Sequence, residues 1–269
     1  MNREYQKWFS PALDKDMELL VFGHAGRQVL FFPTRTAHFY DYEDWKIIDA
    51  LKDKIEAGLL QVFCVDSIDA ESFYATIPPP DKIRRHLQYE QYIIHEVLTL
   101  ISRKYAPPPP SGDVPPIAPS SHTHAHIHTH AHTRRTGLTV AGCSLGGYHA
   151  MNIALKYPQY FDRVLGMSAR YDLSLSTESF PDLFNGYFDE NIYYNMPSMY
   201  LPNLADESML EPIRKLDITL VVGREDPFYE NNLHFSAALT AKHIPHHLYV
   251  WEEEAHRPRY WRAMVQQYL

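Results

Sequence analysis

Three side chains that could together activate a hydroxyl group occur in the order Ser144, Asp226 and His256. A serine hydroxyl is a weak nucleophile until a neutral imidazole accepts its proton. The imidazole in turn needs a carboxylate, which fixes its tautomer and stabilises the imidazolium that forms. These residue types therefore predict a serine nucleophile, with His256 as its base and Asp226 as the group that orients the base.

The serine lies in a short pattern, G-x-S-x-G, that spans Gly142 to Gly146. An apolar strand is predicted over 139–143, directly before the serine, and a helix rich in small residues is predicted directly after it. A sharp strand-to-helix turn of this kind exposes the serine hydroxyl at the end of the strand, and only small neighbours fit around it. The alternative is a glycine-rich turn that merely packs a helix against a sheet.

Asp226 follows a predicted buried strand over 218–223, and His256 follows the last predicted strand, over 247–251. Because the carboxyl ends of parallel strands meet at one edge of a sheet, both side chains are expected at the same edge as Ser144. Their chain order, serine before acid before histidine, is typical of one of the three well-known arrangements of this chemistry.

Each role has rivals in the sequence. Glu225 could replace Asp226 as the acid, although Asp226 precedes Pro227, which would stiffen its loop. The chain holds sixteen histidines, so one histidine alone is weak evidence. His256 is favoured because it alone comes just after the last predicted strand, whereas His24 and His38 fit the base role less well.

An oxyanion that forms during attack on a carbonyl needs backbone N–H donors. The residue after the nucleophile, Leu145, supplies the first. The second is expected from the loop after the third strand, residues 34–38, and Thr36 is the predicted donor.

Predicted strands alternate with predicted helices along most of the chain. Short apolar runs at 28–32, 59–65 and 163–168 are typical of strands buried on both faces. The pattern predicts an α/β fold with a mostly parallel central sheet and helices on both faces. With 269 residues and 45% hydrophobic composition, one domain over 1–269 is expected.

Two segments depart from that alternation. Residues 106–135 combine prolines with six histidines at every second position from His122 to His132, which predicts a low-complexity insertion. It joins a helix to the next strand, so it should lie at the sheet edge opposite Ser144. The tract could bind a divalent metal adventitiously, but we expect no metal in the active site. Residues 169–217 are long, irregular and aromatic, which indicates a lid over the active edge.

Composition excludes several classes of partner. The formal net charge of −8 argues against nucleic acid, and no apolar run approaches the length of a membrane helix. The polar N-terminus has no signal core, and the two cysteines, Cys64 and Cys143, have no metal-type spacing. The expectation is a cytoplasmic protein that binds a small-molecule ester, with self-association into a homo-oligomer left open.

Three stretches resemble the putative-esterase family of α/β-hydrolases, which includes small carboxylesterases such as esterase D, feruloyl esterases and mycolyl transferases. They are residues 140–148, 222–227 and 251–256, which carry the serine, the acid and the histidine. The resemblance implies ester hydrolysis or acyl transfer without a cofactor. The chain departs from the family at Arg35–His38, where such enzymes often have glycines, and in the histidine-rich insertion.

The sequence alone thus favours a serine esterase that works through an acyl-enzyme. An acyltransferase with the same triad is one alternative. A non-catalytic binding protein of the same fold, with a metal-binding histidine loop, is the other.

Deleting residues 121–133 should leave ester turnover close to that of the full chain, because the insertion is expected at the edge of the sheet opposite Ser144. Turnover of a short-chain p-nitrophenyl ester by both proteins measures this. A large loss of kcat in the deletion variant would show that the insertion lies at the active edge after all.

Overall fold

The computed structural model describes residues 1–105, 137–177, 179–253 and 255–269. The predicted insertion at 106–135 and its histidine tract lie outside the described residues. Among those described, no helix is both long and apolar enough to cross a membrane.

Within these described residues, eight strands form one mixed sheet in the order β1-β2-β4-β3-β5-β6-β7-β8. The first two strands pair antiparallel with each other, and β2 pairs antiparallel with β4, whereas β4, β3 and β5 to β8 are parallel. The mostly parallel sheet predicted from the sequence is therefore confirmed. The strands are β1 Arg3–Ser10, β2 Lys15–Phe22, β3 Arg27–Phe32, β4 Leu60–Val65, β5 Thr139–Cys143, β6 Arg163–Met167, β7 Asp217–Gly223 and β8 His246–Trp251.

Helices cover both faces of the sheet, as predicted. The helices in chain order are α1 Asp41–Asp44, α2 Ile47–Ala50, α3 Lys52–Glu56, α4 Pro79–Tyr92, α5 Leu98–Lys104, α6 Leu145–Lys156, α7 Glu190–Tyr193, α8 Pro197–Tyr200, α9 Glu207–Ile213, α10 Tyr229–Ala241 and α11 Pro258–Tyr268. The sequence predicts one long amphipathic helix over 81–104. In the structure a π-helical stretch, Ile93–Val97, joins α4 to α5, so that helix is continuous but locally widened.

Alternating side chains of the strands serve two separate cores. On β3, Leu30 and Phe32 belong to the core beneath α4, α6 and α10, whereas Val29 and Phe31 belong to the core beneath α2 and α11. The same alternation runs through β2, β4 and β5. Strands buried on both faces explain why their sequences are continuous apolar runs rather than alternating ones.

Apolar residues at helical spacing predict one helix that is capped by Asp44 and ends at Gly58, but the structure has two short helices there, α2 and α3, directly after α1. Asp44 ends α1 rather than capping a longer helix. Lys46 then adopts a left-handed backbone conformation, with φ at 62°, and this breaks the helical hydrogen-bond ladder. The apolar spacing survives the break, because Ile48, Leu51 and Ile55 are all buried in the core they share with α11.

A buried polar network ties α6 to α4. The Asn152 side-chain amide donates to Glu90 at 2.6 Å, and the Lys156 ammonium also donates to Glu90. His86 lies 3.3 Å from the same carboxylate. Burial alone would raise the pKa of Glu90, but His86 and Lys156 outweigh burial and hold that pKa below its ordinary value. The far end of α6 is therefore fixed by charge pairing rather than by apolar contact alone.

Lys156→Met should lower the free energy of unfolding by about 2 kcal/mol at pH 7, because it leaves the Glu90 carboxylate buried with less compensation. The pKa of Glu90 is lower folded than unfolded, so its stabilisation is present above the ordinary value of 4.5 and is lost as the pH falls through the folded value. The difference in the free energy of unfolding between wild type and variant should therefore be smaller in acid. Urea unfolding at pH 7 and pH 4 measures this difference.

Lys215→Met is the matched control, because Lys215 pairs with Glu211 on the surface of the protein. Lys215→Met should lower the free energy of unfolding clearly less than Lys156→Met does. Equal losses in the two variants would contradict a special role for the buried network.

Candidate active site

Ser144 occupies the sharp turn between β5 and α6 that the sequence predicts. Its backbone is left-handed, with φ at 55° and ψ at −121°, which is strained for a residue with a side chain. The Ser144 N–H donates to the Met167 carbonyl at 2.9 Å, which anchors the turn to the end of β6. Strain held by surrounding contacts is typical of a nucleophile elbow.

Two glycines make this turn possible. A Cβ atom on Gly142 would lie 2.2 Å from the carbonyl carbon of Gly146, inside any allowed contact. A Cβ atom on Gly146 would lie 2.3 Å from the carbonyl oxygen of Phe32, at the end of β3. The pattern G-x-S-x-G is thus required by two backbone approaches, one within the turn and one between α6 and β3.

Tyr42 joins the ends of β3 and β5 from the face of the sheet opposite α6. Its hydroxyl donates to the Phe32 carbonyl at 2.8 Å and accepts from the Cys143 N–H at 3.1 Å. Burial raises the pKa of Tyr42 well above its ordinary value, so the hydroxyl keeps its proton. Burial likewise raises the pKa of the adjacent Cys143 thiol, which makes Cys143 a poor nucleophile.

The structure brings Asp226 and His256 together. Nδ1 of His256 lies 3.1 Å from one carboxylate oxygen of Asp226 and 3.3 Å from the other. The Asp226 carboxylate also accepts from the Phe228 N–H at 2.9 Å, which holds it in its turn after β7. The Asp226 side chain is fully buried, whereas the rival acid Glu225 is exposed.

Ser168 connects the serine turn to the histidine loop. It follows β6, which lies between the strand of Ser144 and that of Asp226. Its N–H donates to Val221 at 2.7 Å, and its hydroxyl donates to the Ala255 carbonyl at 3.0 Å. The three predicted residues therefore follow β5, β7 and β8 at one edge of the sheet, and β6 supplies the contacts that link them.

Aromatic rings surround the His256 imidazole. The ring centroids of Phe180 and Phe228 each lie 5.4 Å from it, and that of Trp261 lies 5.7 Å away. Phe180 comes from the irregular segment at 169–217. These contacts leave the His256 side chain 11% exposed, so the ring is screened from water on several sides.

The two predicted oxyanion donors differ in their surroundings. Leu145 is the first residue of α6, where backbone N–H groups have no acceptor within the helix. The Thr36 N–H faces the buried carboxylate of Asp69 at 3.4 Å, and Thr36 is left-handed with φ at 53°. His149 of α6 holds that carboxylate at 3.0 Å. Thr36 must therefore turn its N–H away from Asp69 to bind an oxyanion.

Sequence reasoning missed the residues that support this site. Tyr42, Ser168 and Asp69 carry no motif, and each acts through a tertiary contact that only the fold creates. The rival His38 pairs with Asp66 at 3.1 Å. Within the described ranges, no group of three or more His, Cys, Asp or Glu side chains could hold a metal ion.

Comparisons with known proteins agree with this architecture. The family model described as "Putative esterase" matches residues 124–266, which is more than half of the chain. No curated protein sequence matches the chain. Among solved structures, a ferulic acid esterase is similar with a TM-score of 0.72 and 17% identity, over 100% of this chain and 96% of its own.

Two proteins of Staphylococcus aureus are also similar. The S-formylglutathione hydrolase FrmB has a TM-score of 0.63 and 16% identity, over 99% of this chain and 96% of its own. The fluorophosphonate-binding serine hydrolase FphF gives the same four values. At these identities the structures show the fold, and the family model shows the family. The chain belongs to the Putative esterase family and is a carboxylic ester hydrolase with the α/β-hydrolase fold.

Proposed function

We propose that Ser144, His256 and Asp226 form a catalytic triad that hydrolyses a small-molecule carboxylic ester through an acyl-enzyme. The hydrogen bond between His256 Nδ1 and the buried Asp226 carboxylate, at 3.1 Å, carries this proposal. A carboxylate in that position keeps the proton on Nδ1, which leaves Nε2 free to act as a base. The strained turn at Ser144 and its position at the same sheet edge supply the nucleophile.

The proposed reaction has two stages, acylation of Ser144 and hydrolysis of the acyl-enzyme. Ser144 Oγ attacks the carbonyl carbon while His256 Nε2 takes its proton, and the leaving alcohol then receives that proton as the C–O bond breaks. A water molecule then attacks the carbonyl carbon of the acyl-enzyme in the same way, which releases the carboxylic acid and frees Ser144. The Leu145 N–H stabilises the oxyanion in both halves, and Thr36 is proposed as the second donor once its N–H leaves Asp69.

The segment 169–217 is proposed as a lid that forms one wall of the substrate site. Support comes from Phe180, which packs against His256, and from Arg170, whose guanidinium donates to the carbonyls of Leu173, Leu175 and Pro181. An arginine that donates hydrogen bonds to several carbonyls of one loop restrains that loop in one conformation.

The cytoplasmic location predicted from the sequence also remains a proposal. It is supported by Cys64 and Cys143, which are buried and unpaired.

Ser144→Ala should lower kcat for p-nitrophenyl acetate by about 10⁴-fold or more, because the attacking oxygen is removed. A fluorophosphonate probe should label the wild type, with a matching mass increase, and leave the variant unlabelled. Ser102→Ala, which alters an exposed helical serine, is the matched control and should behave like the wild type. Unchanged turnover in a folded Ser144→Ala protein would contradict the proposed attack by Ser144.

Asp226→Asn should lower kcat by about 10⁴-fold, because an amide no longer holds the proton on Nδ1 of His256. Glu225→Gln is the matched control next door and should stay near the wild-type rate, since Glu225 is exposed. Steady-state kinetics of both variants measure this. The reverse result, with only Glu225→Gln inactive, would assign the acid to Glu225.

A further inference from the structure

Two arginines lie beside the proposed active site without a carboxylate partner. Arg35 is exposed in the loop after β3, and Arg170 is 1% exposed in the segment after β6. Within the described residues, which omit Glu178 and Glu254, neither forms an ion pair. On a protein with a formal net charge of −8, two positive charges without a described ion-pair partner next to the proposed site need a reason.

Aromatic rings connect both guanidinium groups to His256. The Cζ atom of Arg35 lies 5.3 Å from the ring centroid of Phe180, and that of Arg170 lies 5.6 Å from the ring centroid of Phe228. These two phenylalanine rings are 4.7 Å apart, and each contacts the His256 imidazole at 5.4 Å. The two arginines therefore border the wall against which an ester would lie.

Tyr74 lies between the two positive charges. Its ring centroid is 5.6 Å from Cζ of Arg35. Burial raises the pKa of Tyr74, while the charges of Arg170 and Arg35 oppose that rise. Both arginines thus act on the same phenol, which places them around one region rather than on separate surfaces.

The nearby carboxylates are already occupied. Asp172 accepts from the Ser174 N–H at 2.9 Å, and Asp182 accepts from the Phe184 N–H at 2.8 Å. Asp69 is held by His149 at 3.0 Å. None of the three is in ion-pair contact with either arginine.

Arg170 also keeps unused hydrogen-bonding capacity. Its Nε and Nη2 atoms donate to backbone carbonyls, but its Nη1 atom is buried and has no hydrogen-bond partner among the described residues. Burial lowers the pKa of Arg170, although the charges of Asp172 and Asp182 oppose that fall, so the charged form is only partly compensated here. An anion that joined Arg170 directly would offset the remaining cost of burying the cation.

We infer that Arg35, Tyr74 and Arg170 form an anion subsite, and that the preferred substrate is an ester carrying a carboxylate or similar anionic group. This inference rests on the proposed function, because it concerns the substrate of the same site. Arg35 is exposed and so can be reached by an incoming anion, and Arg170 supplies a buried positive charge on the same aromatic wall. The anion can belong to the acyl group or to the alcohol.

Two matched substrate pairs test the inference. Mono-4-nitrophenyl adipate against 4-nitrophenyl hexanoate places a negative charge in the acyl group, and 4-acetoxybenzoate against 4-methylphenyl acetate places it in the alcohol. The measured quantity is the ratio of kcat/KM for the charged ester to that for its neutral partner. Comparing proteins on this ratio cancels the intrinsic reactivity of each ester.

Arg35→Gln should lower the ratio by about tenfold in one pair, and that pair identifies the side of the ester that carries the anion. Arg35→Lys should retain part of the preference, because it keeps the charge without the planar fork. Raising the ionic strength should lower the wild-type ratio, since the Arg35 side chain is exposed. Arg84→Gln, which alters an exposed arginine on α4, is the matched control and should leave both ratios unchanged.

Failure here is distinguishable from failure of the triad. If the neutral esters are hydrolysed and Ser144→Ala abolishes that hydrolysis, the triad is supported, whatever the ratios of kcat/KM for charged and neutral esters are. If Arg35→Gln changes neither ratio in an enzyme with that turnover, the anion subsite is overturned while the esterase mechanism stands.

Discussion

The close approach of α6 to the end of β3 is the constraint on which the rest of the site depends. At Gly146 the helix backbone comes so near the Phe32 carbonyl that no side chain fits between them. This contact sets the distance between the serine turn, which precedes Gly146, and the loop that follows Phe32. From the other face of the sheet, Tyr42 bridges the end of β3 and the end of β5, at the residue that precedes Ser144. The proposed nucleophile and the proposed oxyanion loop are therefore held as one unit.

Helix α6 is also held by polar groups that the sequence pattern gave no reason to pair. His149 joins the Asp69 carboxylate near the proposed oxyanion loop, while Asn152 and Lys156 join Glu90 on α4. Buried ionic groups of this kind often add little net stability compared with apolar packing. Their value here is geometric, because each one fixes a different turn of α6 against a neighbouring element.

Local patterns were sufficient to predict much of the fold and the order of the proposed triad. The strands are continuous apolar runs, and Ser144, Asp226 and His256 each follow one, so topology alone placed them at one edge. The break at Lys46 could not be predicted, because lysine has no strong preference for a left-handed backbone. The contact between Thr36 and Asp69 could not be predicted either, because it joins residues 33 positions apart through a loop without regular structure.

The position of β8 has a consequence for how activity responds to heat. Within the described part of the chain this strand is the last in the sheet and pairs on one side only, and none of its residues is fully buried. The Ser144 turn, in contrast, lies in the middle of the sheet between fully buried strands. Local opening favours segments with few buried contacts. The loop that carries His256 therefore belongs to a less protected unit than the Ser144 turn does, so heat can separate the proposed triad while the central sheet is still folded.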